Sequence, residues 1–297
     1  MGEGVSVLPV REVEVPGDQA LTLATALLQR VRLSEAEAGV WEAADVQWWS
    51  RKARRSDVVD QLFWVDDDGP VAGILLTSWA DDVWQCDPII VPGATSPSLN
   101  EVWAGAVAQV RRHAAGSFEV PVRDDDRELR ELVDGAGLVA GERSSIAWMD
   151  AIDRPRIDTP PEGFVLVDRT QRPGTRHPMR HRNGDQVGER LRRCSLYDPA
   201  LDLAIETLDG RAVAYSLYWF DPVTKVGLVE PVRVEDEYHR RGLARAMLTT
   251  GIDRLAANGA RHLKIGFESP PAAALYQSIG FHPATRVTFY GGHVDSL

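Results

Sequence analysis

Two halves of this chain repeat each other at a nearly fixed spacing. DGPVAGILLTSW, Asp68 to Trp79, reads like DGRAVAYSLYWF, Asp209 to Phe220, each a turn dipeptide followed by an apolar run of strand character. CDPIIV at Cys86 to Val91 matches VEPVRV at Val229 to Val234, and Leu129 to Trp148 matches Ala273 to Tyr290. The offset is 141 in the first pair and 143 in the other two. A constant offset implies a duplicated domain, and 297 residues is about twice the usual length of one domain.

Each copy carries the same order of signals: an N-terminal helical region, a two-strand hairpin, a third strand, a long amphipathic helix, a strand, a short helix and a closing strand. In the second copy the periodicities predict strands at 164–168, 201–208, 211–220, 225–234, 261–267 and 284–290, with helices at 184–194, 241–258 and 270–279. Strands alternating with helices and hairpins predict an α/β fold with a mixed sheet. Prolines 155, 160 and 161 cannot extend a helix or a central strand, so a linker is expected at 153–163, between domains at 1–152 and 164–297.

Charge separates the copies. Residues 1–150 hold 13 basic and 26 acidic side chains and the remainder 20 and 18, so the net charge of −11 is −13 in the first half offset by +2 in the second. Such a chain is a poor non-specific binder of nucleic acid. Without an apolar stretch long enough to span a bilayer or a basic, apolar leader, no membrane partner is expected and the cytoplasm is the expected location. Cys86 and Cys194 have no metal-ligand spacing and read as buried thiols, and no metal is expected.

The segment from Gly227 to Phe267 holds the chemistry. A strand ends at Val234, and Arg241-Gly242-Leu243-Ala244-Arg245 opens a helix whose apolar positions keep helical spacing. Gly242 and Ala244 let the backbone approach a ligand closely. The free amides of a helix start, its dipole and flanking arginines suit a pyrophosphate. His239-Arg240-Arg241-Gly242-Leu243-Ala244 resembles the coenzyme A motif Q/R-x-x-G-x-G/A of the GCN5-related N-acetyltransferases (GNAT), with His in place of the first Gln or Arg. SPPAAALYQSIGF, Ser269 to Phe281, is similar to the same family's N-x-x-A-x-x-L-Y-x-x-x-G-F. Two motifs in the right order, roughly 30 residues apart, are more specific than either alone.

The resemblance implies two tandem GNAT-like domains, each a mostly antiparallel twisted sheet flanked by helices with a splayed central strand pair, in a monomer or homodimer. A tandem of this length is similar to the mycothiol synthase type. The resemblance also implies an N-acetyltransferase that moves an acetyl or longer acyl group from acetyl-CoA to a small-molecule amine. The cofactor site would be Val232, Arg233 and Val234 on the strand, His239 to Arg245 in the loop and helix start, and Ser269 and Ala272 at the second motif. Glu230 would be the base and Tyr276 the acid, with Glu268 and His239 as possible substitutes. For Glu230 the competing reading is a solvated strand-end carboxylate or one that only binds the amine; for Tyr276 it is core packing; for Val232 to Val234 it is an ordinary central strand. A non-catalytic acyl-CoA sensor or partner-binding protein is the alternative to an enzyme.

The first copy lacks these parts. PGATSPSLNE, Pro92 to Glu101, stands where the second has the basic loop, Val133 stands for Tyr276, and only Asp87 corresponds to Glu230. It is expected to be non-catalytic. Its acidic runs at 66–68, 81–82 and 124–126 read as solvated turns, and Trp41, Trp48 and Trp49 as core or interdomain packing, with an aromatic acceptor pocket as the competing reading. Arg169 to Arg193, with eight Arg and two His against two acids, reads either as a flexible basic lid that attracts an anion or as a surface segment docking on the acidic half.

Overall fold

The computed structural model describes residues 10–80 and 82–297, so Asp81 of the second acidic run lies outside the described residues. The chain divides into two compact units. Unit 1 takes in residues up to Val46, Ala53–Arg143 and Arg286–Leu297; unit 2 takes in Gln47–Lys52 and Ser144–Thr285.

Unit 1 is built from β1 (Arg11–Val15), α1 (Gly17–Ser34), the start of α2 (Ala43–Trp49), β2 (Gln61–Asp66), β3 (Gly69–Ala80), β4 (Val83–Ile90), α3 (Leu99–His113), β5 (Ser117–Arg123), α4 (Arg127–Gly135) and the start of β6 (Val139–Asp150). Strands β1 to β4 pair antiparallel in sequence, and β4 and β5 run parallel. Unit 2 continues with β7 (Phe164–Asp168), α5 (Arg180–Asn183), α6 (Val187–Arg193), β8 (Asp202–Thr207), β9 (Ala212–Phe220), β10 (Val226–Val234), α7 (Leu243–Ala257), β11 (His262–Phe267), α8 (Pro270–Ile279) and the start of β12 (His282–His293). Strands β7 to β10 pair antiparallel and β10 runs parallel to β11, which repeats the plan of unit 1.

The sixth strand of each unit departs from the expected boundaries. Unit 1 is completed by the end of β12, where Val287 to His293 pair with Arg123 to Ser117. Unit 2 is completed by the end of β6, where Ser145 to Asp150 pair with Phe267 to His262. Thus residues 144–152 group with the second unit and 286–297 with the first, unlike a cut at 152 and 164. Periodicity identifies a strand but not its partner, because either closing strand offers the same alternation to either sheet.

Each sheet carries its long helix on an apolar face. In unit 1, Val102, Ala106 and Val110 of α3 pack with Trp64, Ile74, Trp84 and Phe118. In unit 2, Leu248, Ile252 and Leu255 of α7 pack with Tyr218, Val229, Leu263 and Ile265. Contact there is close enough that a Cβ at Gly251 would stand inside the Tyr218 ring. The proline-rich connection is tied along α7: Arg154 bonds Asp253 (2.9 Å), Arg245 bonds the Asp158 carboxylate, and the Asp158 amide donates to the Thr249 hydroxyl (3.0 Å).

Several acidic-run residues have partners and are not merely solvated. Asp66 pairs with Arg30, Asp125 with Arg123, and Asp126 caps α4 through the Leu129 amide. The arginine-rich stretch is folded rather than a loose lid, since Met179, Val187 and Leu191 are fully buried beneath it. Trp48, Trp49 and both cysteines are buried, and no described helix is long and apolar enough to cross a membrane.

Candidate active site

Strand β10 changes partners halfway along. Its parallel pairing with β11 ends at Val229 opposite Ile265, while on its other side pairing with β9 continues past a bulge to Val232–Ser216, Arg233–Tyr215 and Val234–Ala214. The two parallel strands therefore part at Glu230, leaving one backbone edge of Val232 to Val234 without a strand partner among the described pairings. Such an edge can pair with a ligand's amides by the physics that adds a strand to a sheet.

The loop that follows delivers the start of α7. Arg240 and Gly242 both adopt left-handed backbone, with φ of +58° and +80°. Gly242 is the residue that caps α7, and no side chain among the described residues caps its first turn. A Cβ added there would meet nothing within 4 Å, so the terminus is open. Free amides and the positive end of a fifteen-residue helix favour a phosphate group.

His239 Nε2 lies 3.0 Å from the Val234 carbonyl, fastening the loop to the end of β10. Arg240 is exposed, and Arg241 lies over the Tyr238 ring with one nitrogen on the Glu237 carbonyl. Leu243 is buried in the core and Ala244 is half-buried. Arg245 is engaged by Asp158 and Ser278. The Ser269 hydroxyl caps α8 by accepting from the Ala272 amide at 3.4 Å, which accounts for both residues locally.

Glu230 is half-buried where the strands part, and its carbonyl accepts from the Trp219 indole at 2.9 Å. Tyr276 sits on α8 with its ring edge-on to Phe267 and Phe281, at centroid separations of 5.9 and 6.4 Å. Burial pushes its hydroxyl up to about 12, with the Glu230 charge adding to the effect. The phenol thus keeps its proton at neutral pH, and the two candidates lie within electrostatic reach of each other. Glu268 is exposed.

Sequence reasoning missed Arg51. It follows α2, 179 positions before Glu230, yet its burial pulls the guanidinium down to about 10 while the Glu230 and Tyr215 charges hold it up. Its Nε donates to Asn183 Oδ1 (2.7 Å), and its guanidinium lies 3.8 Å from the centre of the Trp48 ring. No periodicity could link such distant residues.

Beside this site, on β8 and β9, lies a cleft of about 880 Å³ lined in part by Arg169, Arg172, Arg176, His181, Arg182 and Arg211. Unit 1 has a smaller cleft of about 360 Å³ where β4 leaves β5 after Gln85, which corresponds in its plan to the parting of β10 and β11 and not to the cleft on β8 and β9. There Asp87 is buried and accepts from Trp41 Nε1 (2.7 Å) and Gln85 Nε2 (2.8 Å). Burial drives its carboxyl up to about 7 against those bonds, with repulsion from Glu119 and Asp45 adding to the rise.

Comparison with known proteins matches residues 168–281 to the acetyltransferase (GNAT) family. A mycothiol acetyltransferase of Clavibacter michiganensis is 28% identical over 205 residues, covering 67% of this chain and 63% of the relative. A ribosomal protein bS18-alanine N-acetyltransferase of Salmonella typhimurium is 34% identical over 101 residues, covering 31% of this chain and 64% of the relative. The chain thus spans less than two thirds of the length of either. A GCN5-related N-acetyltransferase from Sphaerobacter thermophilus shares the fold at TM-score 0.64 and 17% identity, covering 97% of each chain. A tandem GNAT protein from the clavulanic acid biosynthesis pathway does so at 0.69 and 14%, covering 96% of this chain and 99% of the other.

Proposed function

We propose, from the premise that this chain belongs to the acetyltransferase (GNAT) family, that unit 2 transfers an acetyl group from acetyl-CoA to a primary amine of a small molecule. The family uses acetyl-CoA as co-substrate, and the residues here fit that group. The observation that carries the reading is the uncapped start of α7 beside the unpaired edge of β10, with Glu230 at the point where the strands part.

The amides from Gly242 onward would hold the pyrophosphate, and the backbone of Val232 to Val234 the pantetheine arm. Acetyl-CoA supplies an activated thioester carbonyl. Glu230 accepts the proton that the amine must lose to attack, and Tyr276, protonated at neutral pH, donates to the thiolate that departs. One bond forms between amine nitrogen and acyl carbon, one breaks between that carbon and sulfur, and the two protons balance across Glu230 and Tyr276. Two of the relatives named above are N- or mycothiol acetyltransferases, which supports transfer to an amine while leaving the acceptor open.

Release of free thiol from acetyl-CoA in the presence of a broad panel of amines tests the reading. Amine-dependent release is expected. If acetyl-CoA binds but no amine promotes release, unit 2 is a binding module and not a transferase.

A further inference from the structure

The wide cleft of unit 2 has no role in the chemistry above. Five arginines line it against three carboxylates, and those carboxylates are already partnered. Asp168 bonds Arg254 and Thr170, Glu206 receives Arg172 through both of its oxygens, and Glu235 lies 3.7 Å from Arg182. Arg169 donates only to the hydroxyl and carbonyl of Thr175. Arg176 has no hydrogen bond or ion pair among the described residues. The remaining lining includes Gly210, Ala204, Ala212 and Ala214, whose small side chains keep the space open. A cleft of this size takes a small molecule, and unpaired guanidinium groups select planar or tetrahedral oxyanions.

Tyr215 joins this cleft to the candidate base. It lines the cleft and pairs with Arg233 on β10, and Arg51 feels both Tyr215 and Glu230. Arg233 lies three residues beyond Glu230, so at about 3.3 Å per strand residue the cleft begins on the order of 10 Å from the base.

We propose that this cleft binds the anionic group of the acceptor, which is therefore a primary amine carrying a phosphate or carboxylate at least about 10 Å from its nitrogen. The proposal rests on the transferase reading for the word acceptor, while the anion site itself does not. Arg169 and Arg176 bind the oxyanion, and the amine reaches Glu230.

Calorimetry on the full chain tests this directly. Inorganic pyrophosphate and, separately, citrate are titrated into protein saturated with coenzyme A, so that the α7 terminus is filled. At least one of them is expected to bind, pyrophosphate alone pointing to a phosphate and citrate alone to a carboxylate. Arg176→Glu is expected to weaken that binding at least tenfold. Arg193→Glu, an exposed arginine outside the cleft, controls for overall charge and is expected to leave it unchanged, as is Gly242→Asp titrated without coenzyme A, where the substitution itself blocks the α7 terminus. No heat with either anion, equal loss in both arginine variants, or loss in Gly242→Asp alone would overturn the anion site. If the anion binds as expected but no amine is acetylated, the transferase reading fails and the site stands. If neutral amines are acetylated with kcat/KM equal to anionic ones, the assignment of the cleft to the acceptor fails.

Discussion

Ser98 and Glu101 close the start of α3 on each other: the Ser98 hydroxyl accepts from the Glu101 amide (3.3 Å) and the Glu101 carboxylate accepts from the Ser98 amide (2.7 Å). This is a capping box, and it satisfies amides that a phosphate would need. Gly242 occupies the corresponding place before α7, where no side chain closes the terminus. The copies are thus built alike up to one helix turn, which one fills with its own side chains and the other leaves open. In unit 1 the turn also lacks a basic residue, so the start of α3 offers an anion neither free donors nor positive charge.

Replacing Glu230 by Gln removes the proposed proton acceptor while keeping its shape. The rate is expected to fall mainly at low pH, where little free amine is present, and to recover in part as pH rises. A loss of the same size at every pH, in a profile of kcat/KM, would make Glu230 an amine-binding group instead.

Arg51→Gln tests the residue that sequence reasoning missed. Its positive charge favours the ionised form of the Glu230 carboxylate, so removing it is expected to move the acidic limb of the kcat/KM profile to higher pH. An unchanged limb with a raised KM would leave Arg51 a contact for the acceptor only.

Tyr276→Phe keeps the ring between Phe267 and Phe281 and deletes only the hydroxyl. Stability is expected to change little, and kcat to fall by roughly 10²- to 10⁴-fold, the usual worth of a positioned acid. Wild-type kcat would reduce the tyrosine to packing.

Much of unit 2 was legible in sequence because its elements are short, strongly patterned and punctuated by glycine and proline. Strand β7 and helix α8 fall at 164–168 and 270–279 as read from the pattern. What the pattern does not contain is partnership. The closing strands exchange units, Arg51 approaches Glu230 from the turn after α2, and the arginine-rich stretch is anchored by Met179, Val187 and Leu191, all consequences of tertiary packing that local periodicity does not encode. The open start of α7 was legible because a glycine at a helix start is a local feature. The plugging of its counterpart by Ser98 and Glu101 was equally local and went unread.

Asp87 makes unit 1 sensitive to pH. Its folded-state value of about 7 lies above the ordinary aspartate value near 4, so between the two the folded unit keeps a proton that the unfolded chain releases. Stability therefore falls as pH rises through that window and levels off above it, by at most about 4 kcal/mol. Asp87→Asn does not titrate and is expected to gain on wild type between pH 4 and 7 in denaturant unfolding at a series of pH values. Parallel curves would contradict the burial of an uncharged carboxyl.

The measurement closest to the centre of this account is calorimetric titration of acetyl-CoA into the wild-type chain and into Gly242→Asp, which puts a side chain and a negative charge at the open terminus. One site per chain is predicted for wild type, with binding abolished in the variant. Two sites per chain, or affinity unchanged by the substitution, would contradict the assignment of the phosphate cradle to α7 of unit 2.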